Sequence, residues 1–193
     1  MKISITGVDE VGRGSLIGPV YAAAVIFKNN FDKKKIRDSK KLTKKNREIL
    51  EKYIKKNSYW SIGSASLNEI EKLNILNASL LAMKRAIKKL NKKTSSVLID
   101  GNKTPKIENY NLKSVVKGDE KIPEISAASI IAKVARDRLI RKLSKKFTKY
   151  KWDKNAGYGT KHHLRAIKKF GVTIYHRKTF RPIHNILSPN KIT

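Results

Sequence analysis

Apolar and polar positions along this chain follow two periods, and the places where one gives way to the other outline its elements. Residues 2–9 and 20–28 read as strands, the second holding Val20, Tyr21, three alanines, Val25, Ile26 and Phe27 in a nearly continuous apolar run. Such a run suits a central strand covered on both faces. The polar stretch 37–43, with Asp38, Ser39 and Thr43 as capping residues, precedes a helix reaching about Lys56 whose inner side is Ile49, Leu50, Tyr53 and Ile54. A third strand is expected over 58–66, where Tyr59 and Trp60 supply aromatic content typical of strands. From 67 to 90 the period turns helical: Leu76, Leu80, Met83, Ile87 and Leu90 recur at steps of four, three, four and three. That stripe is core.

Two short apolar segments follow, 95–99 running into Asp100-Gly101-Asn102 and 112–116 into Lys117-Gly118-Asp119. Pro123 and Glu124 open a long helix with Ala128, Ile131, Ala135, Leu139 and Leu143 on its buried side, and its small residues permit close packing on a sheet. Past Trp152, a loop through Gly157-Tyr158-Gly159 leads into a helix over 161–170 and then an irregular basic tail. Five strands, three in succession and two set among helices, predict an α/β fold with a mixed five-stranded sheet flanked by helices. One domain over 1–193 is expected, with a helical C-terminal part packed on it from about 140, and no internal repeat or flexible linker.

Charge changes the picture most. Lys and Arg outnumber Asp and Glu by 45 to 15, giving +30 over 193 residues, so polyanions are attracted and nucleic acid is the first partner to consider. A Lys-heavy composition also arises as a bias across a whole proteome, so charge alone does not establish function. It does make the scarce carboxylates informative. There are no cysteines, which removes disulfides and thiolate metal sites, leaves oxygen or imidazole ligands, and points to the cytoplasm. No run approaches the roughly 18 apolar residues of a membrane span, so no membrane partner is expected.

The stretch Gly7-Val8-Asp9-Glu10-Val11-Gly12-Arg13-Gly14 sets two adjacent carboxylates between an apolar strand and closely spaced glycines. A metal ion held by Asp9 or Glu10 would face a phosphate while the bare backbone of Gly12 and Gly14 touches a sugar. Taken alone, an acidic turn in an ordinary hairpin explains the same residues equally well. The wider pattern decides: Asp9, Glu10, Asp100 and Asp119 all lie at or just past predicted strand ends, where a sheet can gather them. Four such carboxylates repel strongly unless divalent cations neutralise them, and with few histidines the oxygen set selects magnesium or manganese over zinc. Two such ions about 4 Å apart would clamp the attacking water and the leaving oxygen of a phosphodiester.

These residues resemble ribonuclease HII, the bacterial type 2 ribonuclease H, along nearly the whole chain. The matching segments run in order from Gly7-Val8-Asp9-Glu10 through Asp38-Ser39-Lys40-Lys41-Leu42, Asp100-Gly101-Asn102, Lys117-Gly118-Asp119, Ser126-Ala127-Ala128-Ser129-Ile130-Ile131-Ala132-Lys133 and Gly157-Tyr158-Gly159-Thr160 to His176-Arg177. The resemblance implies a ribonuclease H-like fold and hydrolysis of RNA paired to DNA. It extends to duplex DNA carrying a single ribonucleotide, cut on the 5′ side to leave a 3′-hydroxyl. It also implies Asp9, Glu10, Asp100 and Asp119 as the metal-binding carboxylates, holding Mg2+ or Mn2+. Gly12, Arg13 and Gly14 match the segment whose backbone reads the ribose 2′-hydroxyl, and Tyr158 matches the tyrosine that stacks on the neighbouring deoxyribose. Arg13 marks the type, because the related ribonuclease HIII pattern carries Thr there and brings an extra N-terminal substrate-binding domain.

Departures from the family pattern are Ser15 for the common Pro, Val11 for Ala and Thr179 for Ser. Losing the fixed φ of Pro beside the key glycines is expected to loosen the 2′-hydroxyl reader. The segment 181–193 has no aromatic pair of the sort that docks on a sliding clamp, so no such partner is inferred, and a monomer is expected. Lys40, just ahead of a helix, is a phosphate contact; Lys41 reads as well as part of a solvated basic face. Asp137 between Arg136 and Arg138 reads as a salt-bridged helical residue, and His162 and His163 as polar residues at a helix start, with His163 the candidate exception because the family's pattern also has a His there. A non-enzymatic basic binder would explain +30 but not four acids at strand ends. Another two-metal nuclease would share the acids but not Gly12-Arg13-Gly14 with Tyr158.

Overall fold

The computed structural model describes residues 4–36, 42–92 and 94–188. Strands β1 (Ile5–Val11), β2 (Val20–Phe27), β3 (Ser58–Ala65), β4 (Ser96–Asp100) and β5 (Leu112–Val115) form one sheet in the order β3-β2-β1-β4-β5. The first three run antiparallel as a meander, while β4 lies parallel to β1 and β5 parallel to β4. The mixed sheet and its flanking helices are as the sequence predicts. Helices α1 (Lys44–Asn57), α2 (Leu67–Lys89) and α4 (Pro123–Lys146) cover it; short α3 (Gly118–Lys121) and α5 (Trp152–Asn155), then α6 (Lys161–Phe170) and α7 (Arg181–Leu187), complete the set.

β2 is apolar throughout because both its faces are buried. Ala22, Ala24 and Ile26 meet α2 through Ala78, Ala82, Met83 and Ala86. Ala23 and Val25 meet Ala127, Ala128 and Ile131 of α4 and Leu50 and Ile54 of α1. Alanine on both sides of the contact lets the helices lie close to the strands. Thr43 caps α1 by accepting from Asn46 N–H, and Ser66 with Glu69 closes a capping box on α2. A third cluster joins Leu16 and Ile17, from the β1–β2 connection, to Ile140, Leu143, Tyr150, Trp152, Ile167 and Ile183.

Four expectations change. β1 runs two residues beyond the expected 9, to Val11 paired with Tyr21, so Asp9 and Glu10 lie inside the strand, not at or just past its end. The tail is not wholly irregular, since Arg181–Leu187 is helical with Pro182 in its first turn, where its missing N–H costs nothing. Ile49 is 58 % exposed, because Leu50 and Ile54 turn α1 inward and leave Ile49 a hundred degrees off that face. The buried stripe of α4 includes Arg136 and Ile140, while Ala135 and Leu139 are half-buried.

Candidate active site

Sheet register brings two of the acids together. Val8 pairs with Ile99 and both point into the α2 side, so one residue further on Asp9 and Asp100 stand side by side on the α4 face. Asp9 is 5 % exposed; its Oδ1 accepts from Glu10 N–H at 2.7 Å, and Ser129 of α4 hydrogen-bonds its carboxyl group. Asp100 Oδ1 accepts from Gly118 N–H at 2.7 Å and from Asp119 N–H at 3.4 Å, which fastens the start of α3, and with it Asp119, to the end of β4. Glu10 Oε1 meets Arg13 Nη1 at 3.3 Å, but its Oε2 is buried without a hydrogen-bond partner.

The electrostatics are those of too much negative charge in one place. Burial, then the charges of Glu10 and Asp100, hold the Asp9 carboxyl well above the usual carboxylate range, and Ser129 only partly offsets them. Burial likewise raises Glu10, against the lowering effect of Arg13. Among the described residues no three His, Asp or Glu side chains converge closely enough to cage a cation by themselves. The donor set nevertheless fits a hard divalent ion: oxygen ligands, a mutually repelling pair, and one buried carboxylate oxygen with no bond.

Beside the acids, the turn Gly12-Arg13-Gly14 faces Tyr158. Gly12 has φ 95° and its missing side chain is replaced by the Arg136 guanidinium lying against it, so any other residue would be both strained and crowded. A Cβ on Gly14 would stand 3.7 Å from the Tyr158 ring, an ordinary contact. Tyr158 is 37 % exposed and its ring lies over the Arg136 guanidinium at 5.6 Å. Ser15 does not loosen this turn. Its N–H donates to Gly12 O at 3.3 Å, it forms a β-bridge with Tyr158, and its buried hydroxyl lies 3.1 Å from both Gly157 O and Ile17 O. Arg177 holds the turn from below, donating from Nη1 to Arg13 O at 2.8 Å and from Nε to Gly18 O at 2.9 Å.

Sequence reasoning missed Arg136, Arg177, Ser129 and the buried role of His163. Arg136 had a usable signal, for it falls on the i, i+4 row between Ala132 and Ile140, where an unpartnered surface arginine does not belong. His163 is not a solvated helix-start residue but is fully buried, while His162 is exposed. Asp137 is salt-bridged to Lys133 at 3.2 Å, as expected. Lys40 and Lys41 lie outside the described residues.

Comparisons with known proteins agree with this geometry. A family model described as Ribonuclease HII matches residues 6–183. A protein named Ribonuclease HII from Pelagibacter ubique (strain HTCC1062) is 71% identical over 187 residues, covering 97% of this chain and 100% of the relative. The crystal structure of ribonuclease H2 from Pyrococcus horikoshii OT3 superposes with a TM-score of 0.80 at 26% identity, covering 97% of this chain and 98% of that one. The ribonuclease HII of Archaeoglobus fulgidus, solved in complex with PCNA, gives 0.78 at 26%, covering 93% and 96%.

Proposed function

This chain belongs to the ribonuclease HII family, metal-dependent endonucleases that hydrolyse the RNA strand of RNA/DNA hybrids, and we propose that it also cuts duplex DNA 5′ to a single embedded ribonucleotide. The observation that carries the reading is the neighbourhood of two unlike features: repelling carboxylates at Asp9 and Asp100, and a glycine turn facing an exposed tyrosine ring. Asp9, Glu10, Asp100 and Asp119 would hold Mg2+ or Mn2+. When bound, such cations polarise the scissile phosphate and make water a competent nucleophile near neutral pH. Water adds to phosphorus and the P–O3′ bond breaks, leaving a 3′-hydroxyl and a 5′-phosphate.

The chain's own residues supply selection and orientation. The backbone of Gly12, Arg13 and Gly14 meets the 2′-hydroxyl, which is both donor and acceptor and is the group that separates RNA from DNA. Tyr158 packs on the next sugar and favours one without that hydroxyl. Arg13, half exposed, and Lys40 contact phosphate. We further infer a cytoplasmic monomer of one domain. Among the described residues no helix is long and apolar enough to cross a membrane. Residues 181–193 contain no Phe, Tyr or Trp, and no clamp partner is proposed.

The test is magnesium-dependent cleavage of end-labelled duplexes: one ribonucleotide in DNA, a continuous RNA/DNA hybrid, all DNA and all RNA. Cuts confined to the first two, with 3′-hydroxyl ends, are expected. Binding without any cutting would favour a non-enzymatic basic binder, and cutting of all-DNA duplex would overturn the 2′-hydroxyl reader.

A further inference from the structure

Beneath Tyr158 runs a buried polar chain that the proposed chemistry does not use. His163 and His176 are 0 % and 1 % exposed, packed edge-on against Tyr150 and Trp152. Trp152 Nε1, which can only donate, lies 2.9 Å from His163 Nε2. That nitrogen is therefore bare, and the His163 proton sits on Nδ1, 2.9 Å from the Tyr158 carbonyl oxygen that accepts it. His176 is fixed in the same way. Its Nδ1 accepts Thr173 N–H at 2.8 Å, so its proton is on Nε2 and faces His163 Nε2 at 3.3 Å. Donation runs one way, from Thr173 through His176 and His163 to Tyr158. Burial lowers the pKa of both rings, His176 to about 4, so both stay neutral at physiological pH.

We propose that His163, held as its Nδ1-protonated tautomer by Trp152 and His176, is a positioning residue that sets where the Tyr158 ring stands and thereby how sharply a single ribonucleotide is told from a run of them. The inference rests on the reading of Tyr158 as the junction sensor. At 37 % exposure the ring rests on the Arg136 guanidinium, and it keeps that seat only while its backbone is held. That backbone is tied at every point: Tyr158 N–H donates to Asn155 O at 2.9 Å, and Tyr158 O accepts from Thr160 N–H at 2.8 Å as well as from His163. The two preceding carbonyls are held by Arg136, at 3.1 Å from Ala156 O, and by Leu16 N–H, at 2.9 Å from Gly157 O. Ala156 itself sits at φ 49°, a conformation alanine disfavours, so the loop keeps its shape through these bonds and not through local preference. Of them, the His163 bond is the one that couples the carbonyl of Tyr158 directly to the C-terminal core. Without it the peptide of Tyr158 can tilt, and the ring with it.

The experiment measures kcat/KM on two magnesium-containing reactions, duplex DNA with one ribonucleotide and a continuous RNA/DNA hybrid, for the parent, Tyr158→Ala, His163→Leu and His163→Asn. Tyr158→Ala and His163→Leu should each lower the ratio of the first to the second about tenfold, the scale of one transition-state contact. His163→Asn, whose amide N–H takes the place of Nδ1–H, should restore most of it. Equal loss on both substrates in His163→Leu, or an asparagine no better than leucine, would reduce His163 to packing and overturn the inference. An unchanged ratio in Tyr158→Ala would instead remove the junction reading, and the inference with it. Should the leucine variant fail to fold, 15N spectra of the parent's histidines decide: Nδ1–H on His163 and Nε2–H on His176 are expected, and Nε2–H on His163 would end the proposal.

Discussion

A single residue of chain, Val11, separates two regions whose charge is out of balance in opposite directions. At Asp9, Glu10 and Asp100, carboxylates crowd one another and one buried oxygen has no partner. Under Gly12-Arg13-Gly14, two guanidiniums are fully buried; Arg136 Nε and Nη1 and Arg177 Nη2 lack hydrogen-bond partners, and the closest ion pair to Arg136 is Asp137 at 4.0 Å. Burial and then the neighbouring Arg136 lower Arg177 to about 9, which still leaves it charged at pH 7. On the proposed function, the acids are incomplete at an atom that would meet a cation, Glu10 Oε2. The glycine turn is the reverse, with the Arg13 carbonyl occupied by Arg177 and the Gly12 carbonyl by Ser15 N–H, so its shape is held from within. A scissile phosphate between them would have cations on one side and buried positive charge on the other. On the proposed function, chemistry would belong to the first region and recognition to the second, and variants can separate them.

The largest effect should come from the acids. Asp9→Asn or Asp100→Asn is expected to lower kcat by on the order of a thousandfold or more while leaving hybrid affinity equal or tighter, since a repelling charge is lost. Parallel loss of binding and cleavage would merge the two regions into one. Salt should act on the other side of the division. With phosphates as the main contacts, affinity should fall about a thousandfold between 50 and 200 mM salt if about six are met, equally for hybrid and plain DNA duplexes. A salt-insensitive affinity would deny the basic surface its role. Gly14→Ala is milder, about tenfold on both ribonucleotide substrates, with melting unchanged because the added methyl has 3.7 Å of room against Tyr158 and lies in the path of the ribose. A lowered melting temperature would make Gly14 structural.

The sequence carried the sheet and the acids well because both rest on local patterns. The apolar runs at β2 and β4 and the α2 stripe from Leu80 through Met83 and Ile87 to Leu90 survive into the structure, while Asp100, expected just after its strand, is the last paired residue of β4. What was not legible is what register and depth decide. Glu10 belongs to the strand because Val11 still pairs with Tyr21, which no residue near Glu10 announces. Arg136, Arg177 and His163 are polar side chains that ordinary rules send to the surface; the two arginines are buried against carbonyls supplied from elsewhere in the chain, and His163 against the Tyr158 carbonyl of its own preceding loop. Ser15 is the same lesson in small, since its hydroxyl finds Gly157 O only once the C-terminal part has folded against the β1–β2 connection.

The smallest effect is also the one that tests the acids without any catalysis. Burial and the charges of Glu10 and Asp100 raise the Asp9 pKa above its unfolded value, so between those two values the folded chain holds a proton that the unfolded chain releases. The contribution to stability is therefore intact at acid pH and lost as pH rises through the folded pKa. At pH 7.5 with chelator, Asp9 costs the fold stability, either as a buried anion or as a carboxyl protonated against its unfolded pKa, and asparagine removes that cost while still offering an acceptor oxygen to Glu10 N–H. Asp9→Asn should then melt about 2–4 °C above the parent if about 1 kcal/mol of repulsion and desolvation is relieved in a chain of this size. The gain should shrink near pH 4, where the parent's carboxyl is itself protonated. Added magnesium should raise the melting temperature of the parent more than that of the variant, because cation binding stabilises only a fold that can hold the cation. A variant that melts lower than the parent in chelator, or a gain that ignores pH, would mean that Asp9 holds the sheet together and that the acids are not poised for a metal.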